Sequence, residues 1–278
     1  MLALPQWYHD LRQRLVVVPV MTDKRETGQP NMRWGHAVDW IFNVAIGGGQ
    51  ADFDEKVADL EPKDRALLYA FFNQGAHVEE LVVAFNKLLG KSLAMNGGAV
   101  IDVGCGPFTA GLALGSVVGA AAPFDYYGVD RAVSMCDLGA SLADGARHAN
   151  ALHASTGIQF LRDVKSIVTP SLRAQPTLVV LSYLLASRSL NVNEITTDIV
   201  EACDGISMGS VNLLYTNSRR EGARKNYPTL ERRLLGAGFK LIDSGEERLT
   251  ETNKPRDIHY ALFHRDPITR IPANFFVR

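Results

Sequence analysis

From residue 97 to about 266, short apolar runs alternate with amphipathic stretches. The apolar runs fall at 99–103, 124–130, 158–163, 177–183, 210–216, 239–243 and 257–264. Runs of this length, bounded by glycine, proline or acidic residues, predict strands. Helical periodicity follows at about 107, over 133–151, over 192–202 and over 227–237, where Gly236 and Gly238 offer a stop. The run 177–183 is almost wholly apolar, as suits a central strand buried on both faces. Strand-helix alternation calls for a parallel sheet with right-handed crossovers. The last two runs leave no room for a helix between them, so one must be antiparallel. The pattern predicts an α/β fold with a seven-stranded, mostly parallel sheet and one antiparallel C-terminal strand.

Residues 1–96 carry a different pattern. Helices are predicted over 32–46, 62–73 and 76–89, the last with Val78, Leu81, Val82 and Phe85 on one face. The sequences Thr27-Gly-Gln-Pro30 and Gly47-Gly-Gly49 interrupt the region. The expected organisation is an N-terminal helical region, 1–96, ahead of an α/β domain, 97–278.

Bulk properties narrow the function classes. Lysine and arginine total 29 against 30 acidic residues, so no global field draws the chain to nucleic acid or membrane. Cys105, Cys136 and Cys203 lie far apart without a CxxC pair, and the histidines are scattered, so neither a disulfide framework nor a metal site is expected. No apolar stretch approaches the ~20 residues that cross a bilayer, and the start does not read as a signal peptide. A cytoplasmic location is expected.

The chemistry concentrates after the first strand, in Asp102-Val-Gly-Cys-Gly-Pro-Phe108. Glycines at 104 and 106 let the backbone turn sharply and let a ligand approach the main chain. Pro107 suits the first turn of a helix. Strand, glycine loop and helix N-terminus together describe a nucleotide-type site at a sheet edge. A dinucleotide fingerprint needs a third glycine where Thr109 stands. The motif resembles instead that of the class I S-adenosylmethionine (SAM)-dependent methyltransferases, Asp/Glu-x-Gly-x-Gly-x-Gly, with Phe108 in place of the last glycine.

The resemblance implies a Rossmann-like sheet, SAM as cofactor with S-adenosylhomocysteine as product, and no metal. It also implies a set of cofactor residues: Asp102, Gly104, Cys105, Gly106, Asp130, Arg131, Asp163 and Ser182. Asp130, at the second strand tip, would accept hydrogen bonds from the ribose hydroxyls; a carboxylate has the acceptor oxygens a vicinal diol needs. Asp163 reads either as a contact to the adenine amino group or as a turn or N-cap residue. Cys105 reads as a small loop side chain. Phe108 is expected as a bulky wall near the methionine end of the cofactor.

The acceptor side is less defined. Open α/β sheets bind ligands at strand carboxyl ends, where Tyr183 and Asn217 are candidate catalytic residues. Tyr183 either orients an acceptor or is a buried tyrosine with a bonded hydroxyl. Tyr69 and Phe72, with Phe71, either line an acceptor pocket under the N-terminal helices or simply pack. Arg219, Arg220, Arg224 and Lys225 form a basic cluster after the fifth strand, either a solvated loop or a grip on an RNA backbone or other anion. The layout loosely resembles ribosomal RNA methyltransferases of the aminoglycoside-resistance type. Three readings stand: methylation of RNA or another anionic acceptor, methylation of a small molecule, and a non-catalytic SAM-binding scaffold.

Overall fold

The structure is a computed structural model describing residues 4–89, 97–168, 174–187, 190–250, 252 and 254–267. The expected boundary at 96/97 borders a segment outside the described residues, as does the C-terminal end of the expected α/β domain.

Seven strands form one sheet: β1 Gly98–Val103, β2 Phe124–Val129, β3 Gly157–Leu161, β4 Thr177–Ser182, β5 Val211–Ser218, β6 Lys240–Leu249 and β7 Arg256–Arg265. Their order is β3-β2-β1-β4-β5-β7-β6. The first five pair in parallel, while β7 runs antiparallel to both β5 and β6. This is the predicted sheet. Strand residues alternate between two cores, as a period of two demands. Ala99, Ile101 and Val103 face one cluster with Val179, Leu181 and Leu213, while Val100, Leu178, Val180 and Leu214 face the other.

The second cluster is not confined to the α/β portion. Tyr8, Leu11 and Val16 pack into it from a helix over 6–21, and Val78, Leu81, Val82 and Phe85 from a helix over 62–89. The N-terminal region therefore shares a core with the sheet. The helix over 6–21 was not among the expected elements. The two helices expected over 62–73 and 76–89 are one, continuous through Gly75 and widened to π geometry at Ala70–Gln74. Gly75 lies against the Arg12 side chain, 3.2 Å from where a Cβ would sit, and close packing rather than a break explains that residue. Residues 32–37 form a short hairpin instead of a helix, and helix begins only at Val38.

Phe108 is corrected by the structure. Its backbone is left-handed, φ 66°, and its ring is wholly buried against Tyr126 and Phe160, edge to face at 4.9 and 5.9 Å. The ring fills the space beside Gly111, where a Cβ would lie 1.9 Å from it. It anchors the helix Thr109–Val117 from below and does not border the cavity at the strand ends. Asp102 also points into this core, where it accepts a 2.6 Å hydrogen bond from the Tyr126 hydroxyl.

Two predictions follow from this packing. Gly111→Ala, a favourable change in an ordinary helix, is expected to destabilise by about 1–3 kcal/mol because the Phe108 ring cannot yield; urea unfolding measures it, and a gain in stability would contradict the packing. Burial pushes the Asp102 carboxyl up to about 7, with the Tyr126 hydrogen bond opposing. An unfolded aspartate ionises near 4. The folded form therefore holds more protons between those values, and stability falls as pH rises from about 4 to about 7. Asp102→Asn should flatten that fall by roughly 1.4 kcal/mol per pH unit at its steepest, read by thermal melts across the range.

Candidate functional site

A cavity of about 530 Å³ lies at the carboxyl ends of β1, β2 and β4. Its floor is the glycine loop, with Val103, Gly104 and Gly106 exposed to it. Gly104 and Gly106 both have positive φ, 72° and 50°, which a side chain would strain. A Cβ at Gly104 would also meet Leu184 at 3.0 Å.

Asp130 follows β2 and borders the cavity. Its Oδ2 accepts from the Gly106 N–H and its Oδ1 from the Ala132 N–H, both at 3.0 Å. The carboxylate thus ties the second strand to the glycine loop. Each oxygen keeps a further lone pair for a ligand. Burial raises its pKa, opposed by those two backbone N–H groups. Arg131 and Asp163 line the rim and are exposed. Asp163 accepts from the Lys165 N–H at 3.0 Å, so it does cap the short turn after β3 while still facing the cavity. Ser182 lines the wall and accepts from the Thr216 hydroxyl at 3.2 Å. Met135, Asn191, Glu194, Ile195 and Asp198 complete that side. The charged lining is Asp130, Asp163, Glu194 and Asp198 against Arg131 and Arg162, an acidic balance.

The opposite wall comes from the N-terminal region. Gly49, Gln50, Ala51 and Phe53 reach over the cavity beside Tyr69. Arg65, almost fully buried, holds this segment by donating to the carbonyls of Ala45 and Asp52, both at 2.6 Å, and of Glu55. Asp54 then accepts from the N–H groups of Val133 and Ser134 at 3.0 and 3.2 Å, capping the helix Val133–His148 at the cavity edge. A carboxylate suits that position because the first N–H groups of a helix lack internal partners. The Gly47–Gly49 sequence, expected as an interruption of the helical region, turns the chain into this wall through three positive φ angles.

Several expected residues lie elsewhere. Asn217 is fully buried; its amide donates to the Ala223 carbonyl at 3.0 Å and accepts from the Ser218 N–H at 2.8 Å. It holds the turn after β5 and has no free atom for catalysis. Asp102 and Cys105 are 2% exposed and lie beneath the loop rather than in the cavity. Phe72 packs edge to face on Phe71, off the cavity wall. None of Arg219, Arg220, Arg224 and Lys225 borders the cavity; Arg219 lies 3.7 Å from Asp257 and Arg224 2.7 Å from Glu246. Tyr69 and Tyr183 both line it.

Behind those tyrosines stands a polar group with no signal in the sequence pattern. His77 stacks on Tyr183, ring centres 4.3 Å apart and 15° from parallel, and its Nδ1 is 3.3 Å from the Tyr69 hydroxyl. Burial and Arg256 push His77 down to about 4, so the imidazole is neutral. One turn on, Glu80 is 3% exposed with Arg256 Nε at 3.2 Å.

Among the described residues no group of three or more His, Cys, Asp or Glu could hold a metal ion, and no helix is long and apolar enough to cross a membrane.

No family model matches the chain, and no curated protein is similar to it in sequence. Solved structures are similar at a distance. Magnesium protoporphyrin IX methyltransferase from Synechocystis, with S-adenosylhomocysteine bound, is 14% identical over 82% of this chain and 97% of its own, with a TM-score of 0.44. A SAM-dependent methyltransferase from Methanosarcina mazei is 15% identical over 65% and 98%, TM-score 0.43. A putative RNA methyltransferase from Pyrococcus horikoshii is 14% identical over 70% and 85%, TM-score 0.41. Likenesses this distant carry no argument about activity or acceptor. The chain's own strand order, with β7 reversed between β5 and β6, gives it the Rossmann-like fold of the class I SAM-dependent methyltransferases.

Proposed function

We propose that this protein is a SAM-dependent methyltransferase whose acceptor is a small molecule held beneath the N-terminal wall. The observation that carries the reading is Asp130. Its carboxylate is fixed at the second strand tip by two backbone N–H groups and keeps lone pairs directed at the cavity, as a ribose diol requires. The residues present fit the cofactor in two further ways. Gly104 and Gly106 leave main chain open where the methionine portion would lie. The acidic balance of the lining favours a cation, and the sulfonium is one.

When bound, SAM supplies an activated methyl group on that sulfonium. The protein's task is then placement: Asp130, with Asp163 and Val164 at the rim, would hold the nucleoside. Tyr69, Ser182 and Tyr183 would confine the acceptor in line with the methyl. Residues 49–53 exclude water from above.

A small acceptor is favoured over RNA by the N-terminal wall that reaches over the cavity and by the placement of the basic cluster. Two of its four cations face carboxylates of the chain, and all four stand away from the cavity. A scaffold without catalysis has no need for a chamber walled by Tyr69 and Tyr183 beside the cofactor position.

S-adenosylhomocysteine is expected to raise the melting temperature and give binding heat, and Asp130→Ala to abolish both while the variant remains folded. Tritium from methyl-labelled SAM is expected in the low-molecular-mass fraction of a cell extract. Label entering only total RNA would overturn the small-molecule reading, and absence of binding would overturn the cofactor.

A further inference from the structure

Glu80 is the buried group that the cofactor reading leaves unexplained. It lies on the helix over 62–89, three residues after His77, and its carboxylate is 3% exposed. Neither of its oxygens receives a well-formed hydrogen bond. The groups facing it are Arg256 from β7, whose Nε is 3.2 Å away, the Tyr183 hydroxyl from the end of β4, and Glu79 beside it on the helix. A buried carboxylate short of donors is costly to hold. Glu80 is not among the residues that line the cavity, whereas Tyr183 is. That residue is held in a left-handed conformation, φ 59°, its N–H donating to the Thr216 carbonyl at 2.9 Å and its ring flat on His77. A tyrosine locked in this way lines the cavity, and its hydroxyl lies close enough to Glu80 to interact with it electrostatically.

We propose that Tyr183 and Glu80 form a proton exit for the methyl acceptor, and that the acceptor is a hydroxyl-bearing small molecule. This rests on the SAM reading given above. The acceptor oxygen forms a bond to the methyl carbon as the sulfur–methyl bond breaks, its electron pair remaining on sulfur. The hydroxyl proton passes to the Tyr183 oxygen while the tyrosine's own proton passes to a Glu80 oxygen. The positive sulfonium and the negative carboxylate become a neutral thioether and a neutral carboxylic acid, so the site loses a pair of opposite charges and creates none. A neutral amine needs no such base to attack; a hydroxyl does. His77 is a positioning residue, stacked on one tyrosine and bonded to the other.

The protonation chemistry suits this. Burial, the largest influence, pushes Glu80 up to about 7, with Arg256 and the Tyr183 hydroxyl opposing and Glu79 adding. A base near the working pH is the most effective kind. Tyr183 is pushed well above its ordinary range by burial and by Glu80, so it relays a proton without ionising on its own.

The test combines two readouts on the full chain. In the first, carboxyl-13C-labelled glutamate is followed by NMR, with the Glu80 signal assigned by its loss in Glu80→Gln. The expected titration lies near 7 and moves in Tyr183→Phe; titration near 4, or no response to Tyr183→Phe, overturns the proposal. In the second, tritium transfer from SAM into the low-molecular-mass extract is measured against pH. Wild-type transfer should rise through pH 7 and yield a methyl ether. Glu80→Gln and Tyr183→Phe should each lower it about 10²–10³-fold and remove the pH dependence, with Glu80→Asp recovering part. S-adenosylhomocysteine affinity should stay within about twofold, given that neither side chain is placed on the nucleoside. Full activity in Glu80→Gln, or an N-methylated product, overturns the assignment while the cofactor reading stands. Loss of S-adenosylhomocysteine binding in the wild type overturns the cofactor reading itself.

Discussion

The cavity depends on how the glycine loop after β1 is held, because glycine supplies freedom and something else must remove it. Three contacts do so from three directions. Asp130 accepts from the Gly106 N–H, so the second strand tip fixes the loop from the side. Gln74 donates to the Pro107 carbonyl at 2.5 Å, so the long N-terminal helix fixes it from the sheet face that helix covers. Phe108 adopts a left-handed backbone and drives its ring into the core against Tyr126, so the helix that follows is anchored from below. A non-glycine residue with positive φ costs on the order of 1 kcal/mol, and burial of a phenylalanine side chain is worth about 1.5–3 kcal/mol. The burial outweighs the strain. The residue that departs from the methyltransferase motif is therefore a packing device, and the loop is rigid because its exit is pinned.

The same contacts explain why the N-terminal region is more than a cover. Its helices complete the hydrophobic cluster on one sheet face, Gln74 touches the loop, and residues 49–54 form a wall that Arg65 and Asp54 secure at each end. Removing the region would expose a sheet face and release the loop together. The floor of the cavity and its N-terminal wall are consequently parts of one packing problem, and a change in the wall is felt in the loop.

How much of this was legible follows from the range of the interactions. Strand positions and the reversed β7 were readable because apolar runs and the absence of a helix between β6 and β7 are local. Asp130, Asp163, Ser182 and Tyr183 were readable because a strand tip has one place to put its side chain, the ligand end of the sheet. Asn217 sits by the same rule near a strand tip, but its amide donates to the Ala223 carbonyl and accepts from the Ser218 N–H, in the turn that follows. In the helix over 62–89 the apolar stripe hid what mattered. Glu80 looks like a solvated residue of an amphipathic helix, and only the partner elements, β7 and the end of β4, bury it. The gap between the helices expected over 62–73 and 76–89 closes for a related reason: Gly75 is there for the close approach of Arg12, which is a tertiary fact.

Two buried carboxylates frame the site, and comparing them separates structure from chemistry. Asp102 and Glu80 are both nearly inaccessible, both are pushed up to about 7 by burial, and both face a tyrosine hydroxyl. Their tyrosines differ. Tyr126 lies within the core, its ring enclosed by Phe108 and Phe160, so a proton on Asp102 has no route to the cavity. Tyr183 stands on the cavity wall, and Arg256 lies beside Glu80 to stabilise its ionised form. Asp102 has no cation of that kind within ion-pair distance among the described residues. A carboxyl shut in the core can brace a sheet through its tyrosine, whereas one held beside a cation and next to a tyrosine of the cavity wall can serve the proton exchange proposed for Glu80.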